Sequence, residues 1–208
     1  DLGMVILISL SWFAQLFLAG LSLVWVFLAL FLGVIGLGGA YLFFPHVSRR
    51  IDQFLFSSEK DRFSEQYQIR ESLESFMNGG FLGQGPGEGI IKKHLPDAHA
   101  DFVFAVAGEE FGLLFCLLIV AVFIFIVLYN LYKAMHESNL FILLAVSGLI
   151  IQFGMQAIIN IMSTLNLIPT KGMTLPFISF GGSSLLSISM LMGMVIGLTK
   201  ERAYGESS

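Results

Sequence analysis

The chain has 208 residues, 56% of them hydrophobic and only 12% charged, with 11 Lys and Arg against 15 Asp and Glu for a formal net charge of −4. The charged share is about half that of an ordinary soluble domain, and a mean hydropathy of +0.82 points the same way. One soluble core of this size cannot hide so much apolar surface, which excludes a soluble enzyme, a nucleic-acid binder and a disordered tail and leaves an integral membrane protein.

The elements follow from where charge is absent. No Asp, Glu, Lys or Arg occurs from Leu2 to Ser48, from Phe111 to Tyr132, from Ser138 to Thr170, or from Gly172 to Thr199. About 20 apolar residues cross the hydrocarbon core as a helix, so the first run holds two spans and each of the others one. The runs lack the alternation of barrel strands, so the expected fold is an all-α transmembrane bundle. The first span is expected from Leu2 to Ala19 and the second, after a tight turn at Gly20-Leu21-Ser22, from Ser22 to Phe44. Pro45 ends it because proline cannot continue the helical ladder. A polar stretch from Val47 to Glu65 follows, then a moderately apolar segment, Gln66 to Leu82. That segment carries Arg70, Glu71 and Glu74, which suit a helix end or a protein-lined groove rather than lipid. A Gly/Pro-rich string, Gly83-Gln84-Gly85-Pro86-Gly87-Glu88-Gly89, reads as a flexible turn where a helix leaves the membrane; no strand precedes it and no Gly-Lys-Ser/Thr follows, so it is not a phosphate loop. Spans are then expected over Phe102 to Tyr132, Leu140 to Thr164 and Phe177 to Leu198. Cys116 lies inside an apolar run and is the single cysteine, so no intrachain disulfide can form.

Basic residues set the orientation. With Lys200 and Arg202 in the cytoplasm, Lys133 and the Arg49 to Arg62 stretch fall there too, while Gly83 to Asp101 and Leu165 to Pro176 face outside with Lys92, Lys93 and Lys171. The chain begins at Asp1 and carries no signal peptide, and reads as the C-terminal part of a longer protein.

The polar residues near the outer boundary are the candidates for function. Asp101 precedes Phe102-Val103-Phe104, where a carboxylate caps a helix N-terminus; the same position also suits a base that takes a proton from a substrate hydroxyl. Glu109 and Glu110 lie two turns further on, where carboxylates need an interior partner, and read as structural or ion-pairing residues. Lys171 is the one charge between Ser138 and Thr199; it either anchors a helix end or binds an anionic group such as a lipid pyrophosphate. Gly181-Gly182-Ser183-Ser184 opens the last span, and its small residues permit close helix approach. His94, Asp97, His99 and Asp101 carry metal-ligand chemistry, but their spacing matches no specific pattern and no metal site is assigned.

Three stretches together, "GGFLGQGPGEG…KKHLPDAHADFVFAVAGEEFG", "IPTKGMTLPFISFGGSSLL" and the opening "DLGMVIL", resemble the SEDS proteins, the FtsW/RodA/SpoVE family, in wording nearest its division branch. The resemblance runs through the whole chain and implies that residues 1–208 are the C-terminal part of one transmembrane domain, with about six of roughly ten spans and a large extracytoplasmic loop over residues 83–101. It implies a peptidoglycan glycosyltransferase of the bacterial cytoplasmic membrane that polymerises lipid II at its outer face during cell division, releases undecaprenyl pyrophosphate, and works with a class B penicillin-binding protein and other division proteins. The family's essential extracytoplasmic aspartate matches Asp101, its Pro-Thr-Lys-Gly lysine matches Lys171, and its motif histidine matches His99. Lys92, Lys93, Ser183 and Ser184 join Lys171 and His99 as candidate substrate-binding residues, and a divalent cation could assist. Asp97, Ala100 and Phe180 depart from the commoner Glu, Thr and Tyr without removing the acid or the cation. The family's functional arginine belongs to an N-terminal half this chain lacks, so the chain alone is expected to be inactive. The alternatives are a lipid II flippase and a non-catalytic membrane scaffold. A transporter needs polar groups through the full membrane depth, whereas Phe115 to Tyr129 is wholly apolar.

Overall fold

The computed structural model of the chain describes residues 2–45, 47–48, 52, 65–91, 99–168 and 172–200. Their long elements are six helices: α1 (Leu2–Leu18), α2 (Leu23–Phe43), α3 (Glu65–Gly79), α4 (Val103–Met135), α5 (Leu140–Thr164) and α6 (Gly182–Thr199). Among the described residues α2, α4, α5 and α6 are long and apolar enough to cross a membrane. α1 is apolar but has 17 residues. α3 has 15 residues, roughly 22 Å of helix, too short to span. Its composition is polar; among the described residues, the roughly six segments expected correspond to these four spans, the shorter apolar helix α1 and the polar helix α3.

Local signals set the ends of these helices. α2 stops with Phe44 as its C-cap, immediately before Pro45. α5 begins where the Asn139 side chain caps the Phe141 amide at 2.9 Å, satisfying one of the four orphan donors of a helix start.

The central helix is α5, which packs against α1, α3, α4 and α6. The main core joins Phe104, Cys116 and Phe123 of α4 to Val146, Ile150 and Phe153 of α5 and Ile188 of α6. In lipid this packing gains little from water exclusion and rests on van der Waals fit, which favours small residues at crossings. The Gln15 side chain of α1 accordingly lies over Gly148, where a Cβ would collide with its amide. α2 stays outside the bundle, exposing Val24, Phe27, Phe31, Val34 and Leu42 as an apolar surface suited to lipid.

α4 is not one continuous helix. Gly112 has φ 78° and ψ −178°, a conformation for which glycine carries no Cβ penalty. The break strands groups that a regular helix would pair internally. Residues 80–85 take them up. Leu113 and Leu114 donate their amides to the Gly80 and Phe81 carbonyls at 2.9 and 3.3 Å, and the amides of Gln84 and Gly85 donate to the Glu109 and Glu110 carbonyls at 2.9 and 3.0 Å. Non-helical backbone is tolerated beside a membrane where protein satisfies it in this way. The approach is close enough that a Cβ on Gly83 would overlap the Glu110 carbonyl. The start of the Gly/Pro-rich string is therefore a fitted insert in a broken helix and not a flexible turn.

Candidate functional site

The first half of α4 and the segments around it gather the polar residues. Glu109 is completely buried. Its Oε1 accepts from Asn78 Nδ2 of α3 at 3.1 Å and from the backbone amides of Ile90 and Ile91 at 2.8 and 3.0 Å. Three N–H donors from two segments thus surround one carboxylate oxygen, which makes the charge tolerable away from water. Glu110 is partly buried. Replacing Glu109 with Leu strands those donors at about 1–3 kcal/mol each. Glu109→Leu is expected to lose most folded protein on detergent extraction, while Glu109→Gln, which keeps an accepting oxygen, retains most of it. Comparison of monodisperse yield and thermal unfolding temperature checks this, and a wild-type temperature for Glu109→Leu would contradict it.

Asp101 is half-buried. The N-cap of α4 falls on Phe102, which forms no side-chain cap bond, so Asp101 sits one residue before the capping position expected for it. Its Oδ2 lies 3.5 Å from where a Cβ on Gly172 would stand, with Gly172 at φ +60°. The carboxylate therefore faces the segment that follows Lys171. Two further ties join the same segments. Asn160 Nδ2 of α5 donates to the Asp101 carbonyl at 3.1 Å and to the Met173 carbonyl at 2.5 Å, and the Phe180 amide donates to the His99 carbonyl at 2.9 Å.

Residues 172–181 form an ordered loop, so α6 begins at Gly182 rather than at the expected Phe177. Gln156 Nε2, one turn before Asn160, donates to the Thr174 carbonyl at 3.0 Å. Thr174 Oγ1 and Ser184 Oγ are hydrogen-bonded at 2.5 Å, and Leu175 donates its amide to Ser179 Oγ at 2.7 Å. Phe177 is held at φ 62°, a costly backbone state for a bulky residue, with its ring 6.2 Å from that of Phe153.

The candidates named from sequence divide accordingly. Asp101 and the backbone of His99 meet the loop after Lys171, and Ser184 ties that loop to α6. Ser183 is exposed, as is the His99 residue. Glu109 and Glu110 lie on the face that receives residues 80–91. Lys92, Lys93 and Lys171 lie outside the described residues. Sequence reasoning passed over Asn78, Gln156 and Asn160. The last two had a legible signal, since Gln156, Asn160 and Thr164 recur every fourth residue and mark one polar face of an otherwise apolar span.

The fold defines a class: a polytopic helical membrane protein whose polar side chains gather around a broken helix. The chain matches the cell cycle protein family FtsW/RodA/SpoVE over residues 1–204 and belongs to it. A Caulobacter vibrioides protein named "Probable peptidoglycan glycosyltransferase FtsW" is 43% identical, covering 100% of this chain and 53% of its own length. A protein of the same name from Tolumonas auensis is 35% identical, over 100% of this chain and 55% of its own. The chain thus spans about half the length of the curated relatives it matches. A solved chain from a peptidoglycan synthase complex superposes with a TM-score of 0.76 at 23% identity, covering 99% of this chain and 57% of that one; the likeness is one of fold.

Proposed function

We propose that this chain is part of a peptidoglycan glycosyltransferase of the bacterial inner membrane, acting in cell division on lipid II. The observation that carries the reading is the Asp101 carboxylate held against the segment following Lys171, in a chain whose relatives bear the name peptidoglycan glycosyltransferase FtsW. In this reading residues 1–208 belong to a single transmembrane domain, with 83–101 on the outer face and the C-terminus in the cytoplasm.

The chemistry needs a base and a cation. The 4-hydroxyl of the acceptor sugar attacks the anomeric carbon of the lipid-linked donor, and the bond from that carbon to the pyrophosphate oxygen breaks. Asp101 takes the hydroxyl proton, and undecaprenyl pyrophosphate leaves with the bonding electron pair. Lys171 stabilises the charge developing on it. His99, Lys92, Lys93, Ser183 and Ser184 are the remaining candidates for substrate binding. A class B penicillin-binding protein crosslinks the glycan, consistent with the polymerization and crosslinking described for the solved synthase complex. Lipid II polymerisation by the full-length protein with its transpeptidase partner tests the reading; no glycan from the wild-type complex would refute it.

Lys171→Gln is expected to lower polymerisation by at least about tenfold, the rate equivalent of ~1.4 kcal/mol. Lys171→Arg should be intermediate, because a planar fork replaces a compact ammonium poorly. Rates at saturating and limiting lipid II, with Lys92→Gln as control, check this. The orientation has its own test in a Cys116→Ser background. Cysteines at Glu88 and Phe180 should react with an impermeant thiol reagent from outside, and a cysteine at Ser138, in the turn between α4 and α5, only after the membrane is opened. The reverse pattern would move the site to the cytoplasm.

A further inference from the structure

The polar face of α5 ties together segments that are far apart in sequence. Asn160 is 2% exposed, and its single amino group donates to two carbonyls, one from Asp101 and one from Met173, two residues beyond Lys171. Both partners are obligate acceptors, so only the NH₂ end of the carboxamide can face them. The other end, Oδ1, is buried without a partner among the described residues. Such an orphan carries an uncompensated desolvation cost, which a hydroxyl or an apolar side chain would avoid. What the carboxamide supplies in return is two hydrogen atoms on one nitrogen, which draw two main-chain segments to a common point.

We infer that Asn160 is a positioning residue that sets the separation of Asp101 from the loop that begins at Gly172, an inference that rests on the reading of Asp101 as the base. The tie acts on backbone, so it places the Cα of Asp101 whatever its side chain does. Gln156 supports it one turn away through Thr174. One turn further on, the Thr164 carbonyl accepts from Ser72 Oγ of α3 at 2.8 Å. A single face of α5 therefore locates the acid, the loop after Lys171 and α3. A rigid element suits this task, since small displacements of reacting groups cost rate steeply.

The test uses the full-length protein with its transpeptidase partner and two independent readouts. In Asn160→Leu, similar in volume but without donors, kcat for lipid II polymerisation should fall about 10²-fold with KM unchanged within about twofold. Separately, cysteines at the exposed positions His99 and Phe180, in a Cys116→Ser background, report loop registration through a short thiol-to-thiol crosslinker. Their crosslinking should be efficient with Asn160 present and markedly reduced in Asn160→Leu. Asn160→Ser, which keeps one donor, should be intermediate on both readouts and carries the test if the leucine variant does not accumulate. Crosslinking that is unchanged in these variants overturns the inference, as does a wild-type kcat, or a loss confined to KM. Absence of polymerisation by the wild-type complex would strike the functional reading instead, while the crosslinking comparison would still decide whether Asn160 makes the tie.

Discussion

Asp101→Asn in the full-length protein is expected to abolish polymerisation, with membrane insertion and yield unchanged. General-base catalysis contributes about 10²–10⁴-fold, so residual activity should fall below about one per cent of wild type. The substitution is close to isosteric and keeps the main-chain tie at this position. The bond from Asn160 runs to the main-chain carbonyl of residue 101, which asparagine retains, and the α4 N-cap is Phe102, so no capping bond at that position is lost. The gap to Gly172 is also kept, because an amide fills the same space as the carboxylate. The proton-accepting charge disappears. Glycan-strand synthesis by the purified variant, normalised to folded protein, measures the effect. Wild-type rates would remove Asp101 from the chemistry, and a loss of yield in step with activity would make it structural.

Gly112→Val carries the second large effect, on folding. Valine at φ 78° costs about 1–3 kcal/mol in backbone strain alone. Its Cβ would also stand 2.5 Å from the Phe81 carbonyl oxygen, well inside van der Waals contact, so residues 80–85 would have to move. Moving them breaks the four backbone bonds that close the helix break, and each buried group left unpaired costs about 1–3 kcal/mol more. The sum approaches the whole margin of a typical fold, about 5–15 kcal/mol. Gly112→Val should yield little monodisperse protein, Gly112→Ala somewhat more, and Gly193→Ala nearly the wild-type amount, since among the described residues a Cβ at Gly193 meets nothing within 4 Å. Thermal unfolding in detergent orders the three. Equal unfolding temperatures for Gly112→Val and wild type would mean that the break is incidental.

What the sequence determined by itself is what depends on local composition. Charge-free runs placed α2, α4, α5 and α6, because the cost of a charge in lipid is set residue by residue and needs no partner to be known. Pro45 marked a helix end for an equally local reason, a missing donor. That Asp101 lies just ahead of an apolar span was legible in the same way. Tertiary structure alone decided the rest. Nothing in "AVAGEEFG" announces a break at Gly112, since a helix can stop pairing with itself only if another segment accepts its stranded groups, and here that segment is residues 80–85. Glu109 read as a structural or ion-pairing residue, and only the fold shows which N–H groups of α3 and residues 90–91 its buried oxygen accepts from. Asn160, whose place on a polar face of α5 could be read from spacing, gains its partner only from the fold, which brings Asp101, 59 positions away in the chain, to its amide. Apolar burial is additive and can be summed along a sequence, whereas a hydrogen bond depends on the position of both partners, and for these residues the second partner is supplied only by the folded chain.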